Sequence, residues 1–219
     1  MLEQIATSKI IKYLGISQNE DTKLMKENIY KVVMSAVSLA KEKTGALIVF
    51  EKDIKLKEII DNGIRINADV SIQLLNNIFE KDTPLHDGAV IISEGRVMSA
   101  CSILPLAVDN NINKAFGTRH RAALGISKNS DAIAVVVSEE TGKISVAKNN
   151  ILKVDIKEEG LKKLLLKYLL DIEIDKDSKQ NDNIILRKMK KVKEKFRKKE
   201  IKQEKIHNNK EEEINEGKK

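Results

Sequence analysis

The apolar run Ala46–Phe50 constrains the fold of this 219-residue chain more than any other segment. All of its residues are apolar, which is the pattern of a strand buried on both faces of a sheet. Apolar runs of strand length recur further along the chain, and tight turns at 94–95 and 140–143 predict that two pairs of them form hairpins. These further strands are predicted at Gly88–Ser93, Arg96–Leu104, Ala132–Val137 and Ile144–Ala147.

Segments with apolar residues at helical spacing separate the predicted strands. A short amphipathic helix is predicted over residues 1–14 and ends at 15–19, and a second helix begins at Asp21 or Thr22 and reaches about Lys43. Because helices alternate with strands and hairpins are also present, we expect an α/β (α+β) fold in which helices flank a mixed central sheet. Further helical segments are predicted at 56–60, 70–79, 112–116, 120–126 and 157–170.

A change in composition near residue 171 predicts where the globular part of the chain ends. We expect an N-terminal helical segment or linker at 1–21, one globular domain at 22–170, and a charged linker and basic tail, helical or disordered, at 171–219. Residues 187–205 contain eleven Lys or Arg against three Glu, so the net charge of this stretch alone is greater than the net charge of +7 of the whole chain. The excess positive charge therefore lies in the tail. This tail could contact anionic lipid or nucleic acid, pair as a coiled coil, or be a solvated helix.

The composition also excludes several classes of protein. The single cysteine, Cys101, permits no internal disulfide and suits a reducing cytoplasm, and its small-residue surroundings predict a buried strand position rather than a nucleophile. No apolar run approaches the roughly 20 residues that span a bilayer, and the N-terminus lacks the features of a signal peptide. Neither a Walker loop nor a GxGxxG motif is present, so Walker-type ATPases and dinucleotide-binding domains are not supported.

The first polar cluster, residues 84–89, places an imidazole and a carboxylate ahead of a predicted strand. His86 and Asp87 are both good ligands for a divalent metal. Gly88 and Ala89 follow directly, and a glycine lets another group approach the backbone closely. The alternative is that His86 and Asp87 are turn residues that cap the loop before the strand.

The second cluster, residues 117–122, is basic. Arg119 and Arg121 each present a planar fork of donors that can hold phosphate oxygens in pairs. Gly117 and Thr118 precede a predicted helix, whose N-terminal amides favour anions. The alternative is a solvated basic start of a helix with surface ion pairs.

A third cluster, Ser138-Glu139-Glu140, ends the apolar run Ala132–Val137. These residues either join a metal site or form a polar hairpin turn. Because all three clusters lie at the edges of apolar elements, we expect them to share one cleft. That cleft would hold acids for a metal and arginines for phosphates, without an obvious nucleophile, which favours nucleotidyl or phosphoryl transfer.

The stretch from Gly45 to about Leu169 resembles the diadenylate cyclase domain. The resemblance is carried by Asp-Gly-Ala at 87–89 and Arg-His-Arg at 119–121, within longer similar strings at 82–92, 117–127 and 137–150. Members of this family are nucleotidyltransferases that condense two ATP molecules into the second messenger cyclic di-AMP and two pyrophosphates. The resemblance implies that two domains meet face to face as a homodimer, because each ATP supplies the nucleophile for the other.

The resemblance also implies a role for each matching residue. Asp87 would bind the metal with help from His86 and activate the 3′-hydroxyl of the ATP in the facing subunit. The metal would be Mg²⁺ or Mn²⁺, with Co²⁺ as a third candidate. Leu104 would border the adenine, although some relatives have Tyr where this chain has Ile103. The remaining implied roles are pocket lining by Gly88 and Ala89, nucleotide binding by Gly117, triphosphate binding by Thr118, Arg119, His120 and Arg121, and contacts to phosphates or metal by Ser138, Glu139 and Glu140. The implied catalytic residues are Asp87, Arg119, His120 and Arg121.

The N-terminal string LEQIATSKIIKYLG resembles the segment that follows the membrane helices of membrane-anchored diadenylate cyclases. We therefore expect a cytoplasmic domain whose membrane segment is absent from this chain, with a naturally soluble relative as the alternative. A regulatory protein partner is compatible with this resemblance, and no specific nucleic acid is expected. Two other functions stay open: a nucleotide sensor without turnover, and a nucleic-acid or membrane-surface adaptor that acts through the basic tail.

Overall fold

A seven-stranded mixed sheet lies at the centre of the computed structural model, which describes residues 2–107 and 116–172. Its strands are β1 (Ala46–Phe50), β2 (Ile64–Asp69), β3 (Ala89–Ser93), β4 (Arg96–Ser102), β5 (Ile133–Val137), β6 (Ile144–Lys148) and β7 (Ile151–Lys153). They follow the order β2-β4-β3-β1-β5-β6-β7. The pair β1 and β3 is parallel and all other neighbours are antiparallel. The predicted α/β (α+β) class with a mixed sheet is confirmed.

Helices cover both faces of this sheet. They are α1 (Leu2–Lys41), α2 (Lys57–Asp61), α3 (Ile72–Phe79), α4 (Thr118–Asn129) and α5 (Glu158–Leu170). The predicted break at residues 15–19 was wrong, because α1 is continuous through it. The segment contains no proline, and a single internal glycine costs a helix only about 1 kcal/mol relative to alanine. The helical turns on both sides of the segment can outweigh this cost. Within the described ranges, no helix is both long and apolar enough to cross a membrane.

Strand β1 shows why the core has two halves. Ile48 and Phe50 pack on one side, with the buried faces of α1, α3 and α5. Leu47 and Val49 pack on the other side, with α4 and the residues around α2. Every residue of β1 is buried, as the apolar run predicts, because successive side chains alternate between these two layers.

The sequence did not predict β2 or β7, and both lie at the edges of the sheet. Their residues are mostly exposed or half-buried, so neither strand carries the continuous apolar run that marks a central strand. The helix predicted at 112–116 falls outside the described residues except for its last position, and most of the tail at 171–219 also falls outside them. The domain boundaries at residues 21 and 170 stay predictions.

The topology brings five chain segments together at one end of the central strands. Strands β1 and β3 are parallel and both start there, while β4 and β5 are antiparallel to them and end there. Gly45, Asp87, Ile103 and Ser138 therefore lie at or just beyond the same strand ends. Helix α4 also begins at this edge, after Gly117. We call this end of the strands the cluster edge of the sheet; it is not one of the lateral edges formed by β2 and β7.

Candidate active site

A cavity of about 690 Å³ opens at the cluster edge. This volume lies within the roughly 300–1,000 Å³ typical of small-molecule sites. All three polar clusters contribute to its wall, so the expectation that they share one cleft agrees with the geometry. The predicted site residues that line the cavity are His86, Asp87, Gly88, Leu104, Gly117, Thr118, Arg119, His120, Ser138, Glu139 and Glu140.

Gly88 fixes the path of the backbone beside Asp87. Its φ is +118°, and a Cβ there would lie only 2.7 Å from the carbonyl carbon of Cys101, so a larger residue would be both strained and obstructed. Opposite it, β4 carries an extra residue between Ser99 and Ser102, a bulge in which Cys101 has a φ of 57°. The Asp87 side chain is exposed and has no hydrogen-bond or ion-pair partner among the described residues.

His86 is oriented by the loop that precedes it. Its Nδ1 lies 2.6 Å from the carbonyl oxygen of Thr83. Since a carbonyl can only accept, Nδ1 donates, and Nε2 of the neutral ring keeps its lone pair. Metal-binding imidazoles are commonly held in this way, with one ring nitrogen bonded to a carbonyl and the other left for the metal.

The donor set around Asp87 is small. Within the described part of the chain, no group of three or more His, Cys, Asp or Glu residues could by itself hold a metal ion. The Asp87 carboxylate nevertheless suits an ion such as Mg²⁺ or Mn²⁺, which is bound through one or two carboxylates together with substrate phosphates and waters, whereas the imidazole nitrogen of His86 suits transition metals better. His86 and Asp87 therefore fit a divalent metal that arrives with a phosphorylated substrate.

Arg119 connects the three clusters. Its Nη1 donates to Glu139 Oε2 at 2.9 Å, and its Nη2 donates to the carbonyl oxygen of His86 at 3.4 Å. The Arg119 side chain is only 20% exposed, whereas that of Glu139 is 59% exposed. Nε of Arg119 is buried and has no partner among the described residues. Each Nη nitrogen has two N–H groups and makes one hydrogen bond among the described residues, so the guanidinium lines the cavity with donor capacity left over for a ligand.

The first turn of α4 faces the same cavity. Gly117 is the N-cap in an extended conformation and makes no side-chain capping bond, and Thr118 is exposed beside it. The first backbone N–H groups of a helix have no partner within the helix and carry a partial positive charge. An anion at this end of the cavity would therefore meet both helix amides and the Arg119 guanidinium.

His120 lies inside the cluster rather than on its surface. It is buried and stacks on Phe116, with ring centroids 5.2 Å apart. Burial lowers the pKa of His120 below its ordinary value, against the smaller opposing effect of the Glu140 carboxylate. The ring is therefore neutral at pH 7, and the positive charge of the cavity comes from Arg119.

Two predicted site residues do not line the cavity. Arg121 is exposed on α4, because residues two apart on a helix point in nearly opposite directions. Ala89 is buried in the layer beneath α4. The carbonyl of Arg121 instead accepts a hydrogen bond of 3.0 Å from the amide of Ala107, which ties the segment after β4 to the helix.

Sequence reasoning missed most of the apolar part of the wall. Ile103 and Leu106, in the segment after β4, are 73% and 49% exposed. Asn62 holds this segment through both of its amide atoms, which bond to the backbone N–H and carbonyl of Ile103 at 3.0 and 3.2 Å. The closeness of Asn62 to this segment depends on the pairing of β2 with β4, which no local pattern in the sequence predicts. The further lining residues are Leu47, Cys101, Ser102, Ala122 and Val137.

Comparison with known proteins identifies a family for this arrangement. The family model described as the DisA bacterial checkpoint controller nucleotide-binding domain, abbreviated DAC, matches residues 33–152. The matched range is more than half of the chain and contains all three polar clusters.

Individual relatives agree with this match. The chain is 45% identical over 177 residues to a diadenylate cyclase of Listeria monocytogenes, covering 81% of this chain and 64% of that protein. It is 43% identical over 164 residues to the cyclic di-AMP synthase CdaA of Bacillus subtilis, covering 75% of this chain and 59% of that protein. The crystal structure of a double mutant of DacA from Staphylococcus aureus superimposes with a TM-score of 0.64 at 45% identity, covering 65% of this chain and 95% of that one.

Proposed function

The chain belongs to the diadenylate cyclase (DAC) family, and we propose that it condenses two ATP molecules into cyclic di-AMP with release of two pyrophosphates. The chain spans about three fifths of the length of the curated relatives it matches. One observation carries the proposal: the His86–Asp87 pair, the Arg119 guanidinium and the first turn of α4 line a single cavity.

The basic side of the cavity supports binding of a triphosphate. Each Nη nitrogen of Arg119 makes one hydrogen bond among the described residues and carries a second N–H, which phosphate oxygens in the cavity would accept. The Thr118 side chain and the backbone N–H groups of Thr118 and Arg119, which have no hydrogen-bond partner among the described residues, lie at the same side of the cavity and favour negative charge. Neutral His120 could donate one hydrogen bond but adds no charge. Glu139 and Ser138 complete this wall of the cavity.

The acidic side supports activation of the attacking hydroxyl. In each bond-forming step, the 3′-oxygen of one ATP attacks the α-phosphorus of the other, pyrophosphate leaves, and the hydroxyl proton must be accepted. Asp87 has an exposed carboxylate with no partner among the described residues, so it can orient the hydroxyl and accept its proton. A divalent ion held by Asp87 and His86 would neutralise charge on the phosphates when bound. Mg²⁺ and Mn²⁺ are the first candidates, and Co²⁺ is the third.

The apolar wall supports binding of adenine. In the segment after β4, Leu104 is buried, and Ile103 and Leu106 expose apolar surface at the cavity. Aliphatic side chains can cover the face of a base without the stacking that an aromatic residue would add. Adenine recognition in this chain would therefore depend on shape and on burial of apolar area.

The reaction itself implies a homodimer. Each new bond joins the hydroxyl of one ATP to the phosphate of another, so two cavities must face each other for the ring to close. We also propose a cytoplasmic location for the domain, with membrane attachment through a segment outside this chain. The described residues that line the cavity lie between positions 47 and 140.

The test is to incubate the purified chain with ATP and either Mg²⁺ or Mn²⁺ and to separate the nucleotides by chromatography. We expect one cyclic di-AMP and two pyrophosphates for every two ATP consumed. Specific activity should rise with enzyme concentration below the dissociation constant of the dimer. ATP that binds but is recovered unchanged would instead support a nucleotide sensor.

A mixing experiment then tests whether the site is shared. We would titrate the parent with a rising excess of the inactive Asp87→Asn variant. In a mixed dimer each cyclic product needs both facing sites, so the cyclic di-AMP formed per parent chain should fall as mixed dimers form, although a linear intermediate can form. Parent activity that is unaffected by the variant, together with specific activity independent of concentration, would show that one chain contains a complete site.

A further inference from the structure

Gly45, just before β1, lies against the Arg119 guanidinium. A Cβ built on this glycine would lie 2.6 Å from Nη1 and 2.9 Å from Cζ of Arg119, and 2.9 Å from Oε2 of Glu139. Cβ atoms in proteins essentially never approach other heavy atoms more closely than 3.0 Å. The Arg119–Glu139 pair therefore occupies space that any other residue at position 45 would fill.

We infer that Gly45 is a positioning residue for the triphosphate site: by having no side chain, it lets the Arg119 guanidinium lie inside the cavity, against Glu139 and the carbonyl of His86. This inference deepens the proposed function and rests on it, since it assigns the observed position of Arg119 to phosphate binding. Gly45 itself is buried, and its neighbour Ala46 pairs with Val137 of β5. The glycine is thus fixed between the strand that leads to Glu139 and the strand that follows Asp87.

Other glycines of the described chain differ in what surrounds them. An added Cβ at Gly88 or Gly125 would meet the backbone of Cys101 or Pro105, which cannot move without distorting the fold. At Gly45 the nearest atoms are the ends of two flexible side chains. An alanine there can be accommodated if Arg119 and Glu139 swing outward. The fold therefore does not require glycine at position 45, whereas the inward position of Arg119 does.

The expected consequence is specific to ATP binding. In Gly45→Ala, the Arg119 guanidinium would lose its 2.9 Å contact with Glu139 and its inward position in the cavity. We expect kcat/KM for ATP to fall at least tenfold, mainly through KM, and the dissociation constant for ATP to rise by a similar factor. The matched control is Gly160→Ala in α5, where an added Cβ meets only the Ile156 side chain at 3.3 Å. That variant should retain the ATP affinity and turnover of the parent.

A double-mutant cycle with Arg119→Ala tests the mechanism, because neighbouring residues that act together give non-additive effects. Once the guanidinium is gone, Gly45→Ala should weaken ATP binding less than threefold further. If Gly45→Ala lowers the melting temperature, adding Arg119→Ala should restore it, since the obstruction is removed. Equilibrium dialysis with ATP measures the cycle, and product analysis of the parent separately tests the proposed reaction.

The outcomes separate the two claims. A parent that binds ATP without forming cyclic di-AMP overturns the proposed reaction, while the binding cycle still decides the role of Gly45. ATP affinity of Gly45→Ala within threefold of the parent overturns the inference. Equal losses from Gly45→Ala with and without Arg119 also overturn it, because the glycine would then act through another group. A parent that binds no ATP overturns both claims.

Discussion

The two ends of β1 use carboxylates in opposite ways. At the carboxyl end, Glu51 is buried and accepts hydrogen bonds from the amide of Leu56 at 2.8 Å, from Lys55 Nζ at 2.9 Å and from Ser93 Oγ at 2.7 Å. At the other end, beside Gly45, the Asp87 carboxylate is exposed and has no partner among the described residues. A carboxylate with all its partners supplied by the protein stabilises the fold, whereas one without partners remains available to a ligand.

The same contrast appears in the pKa of Glu51. Burial alone would raise this pKa, but the hydrogen bonds from Leu56, Lys55 and Ser93 and the charge of Lys55 outweigh burial and hold it below its ordinary value. Glu51 therefore stays ionised at neutral pH and closes the loop between β1 and α2. At the cluster edge, in contrast, Arg119 keeps a buried donor without a protein partner in the described ranges. The carboxylate at one end of β1 is thus used within the fold, whereas the groups at the other end remain available to a ligand.

The strongest test of this contrast is Asp87→Asn. The substitution removes the charge that would bind metal and accept the hydroxyl proton, at nearly constant volume, so cyclic di-AMP formation should fall by about 10³-fold or more. Because the side chain is exposed and has no partner among the described residues, the melting temperature should stay within about 2 °C of the parent. Asp171→Asn, an exposed carboxylate at the end of α5, is the matched control and should change neither property. Near-normal turnover would remove Asp87 from the mechanism.

Glu51→Gln should have the opposite profile. The amide presents donors to groups that already donate, so we expect a loss of about 2 kcal/mol in the free energy of unfolding, the range for hydrogen bonds to charged groups. Urea denaturation measures this loss. Turnover per folded molecule should remain within twofold of the parent, because the residue lies at the far edge of the sheet. A large loss of turnover without loss of stability would show that the two edges are coupled.

The dependence of stability on pH sharpens the assignment of His120. Because its pKa in the folded protein is below the ordinary value of 6.5, the unfolded chain takes up the proton first as the pH falls. The contribution of His120 is therefore fully present above pH 6.5 and is lost as the pH falls below it. Unfolding curves at pH 7.5 and 5.5 should show a smaller acid loss for His120→Gln than for the parent. Equal losses would contradict a buried, neutral ring.

The smallest effect is expected from removing residues 184–219. The described residues that line the cavity end at Glu140, and α5, the last described helix, ends at Leu170. Turnover in solution should therefore change less than tenfold, which corresponds to about 1.4 kcal/mol on the barrier. A greater loss would mean that the tail contributes to assembly of the proposed catalytic dimer. Steady-state rates of the full and shortened chains at equal concentration provide the measurement.

The fold was predictable where the sequence pattern is strong and local. Ala46–Phe50 and Ala132–Val137 are continuous apolar runs, and both form central strands nearly as predicted. Strands β2 and β7 were missed because edge strands need no apolar face and depend on neighbours that are distant in sequence. The break in α1 was predicted from polar and glycine residues at 15–19, but such residues interrupt a helix only when other contacts favour a turn.

The candidate site shows the same limit. The three clusters could be recognised from their residue types. Carboxylate, imidazole and guanidinium groups at the ends of apolar runs share few roles other than the binding of charged ligands. Their convergence depends on β1 and β3 being parallel, which the sequence pattern alone does not specify. Gly45 and Asn62 were missed because their contributions, an absent side chain and a backbone clamp, have meaning only beside Arg119 and Ile103.

The claim that the two edges have separate roles is tested most directly by the change in melting temperature that a non-reactive ATP analogue with Mg²⁺ causes. A ligand at a hundredfold excess over its dissociation constant stabilises the folded state by about 2.7 kcal/mol. We predict the same increase for the parent and for Glu51→Gln, although the latter starts from a lower melting temperature, and little or no increase for Arg119→Ala. An undiminished increase in Arg119→Ala, or its loss in Glu51→Gln, would contradict the account.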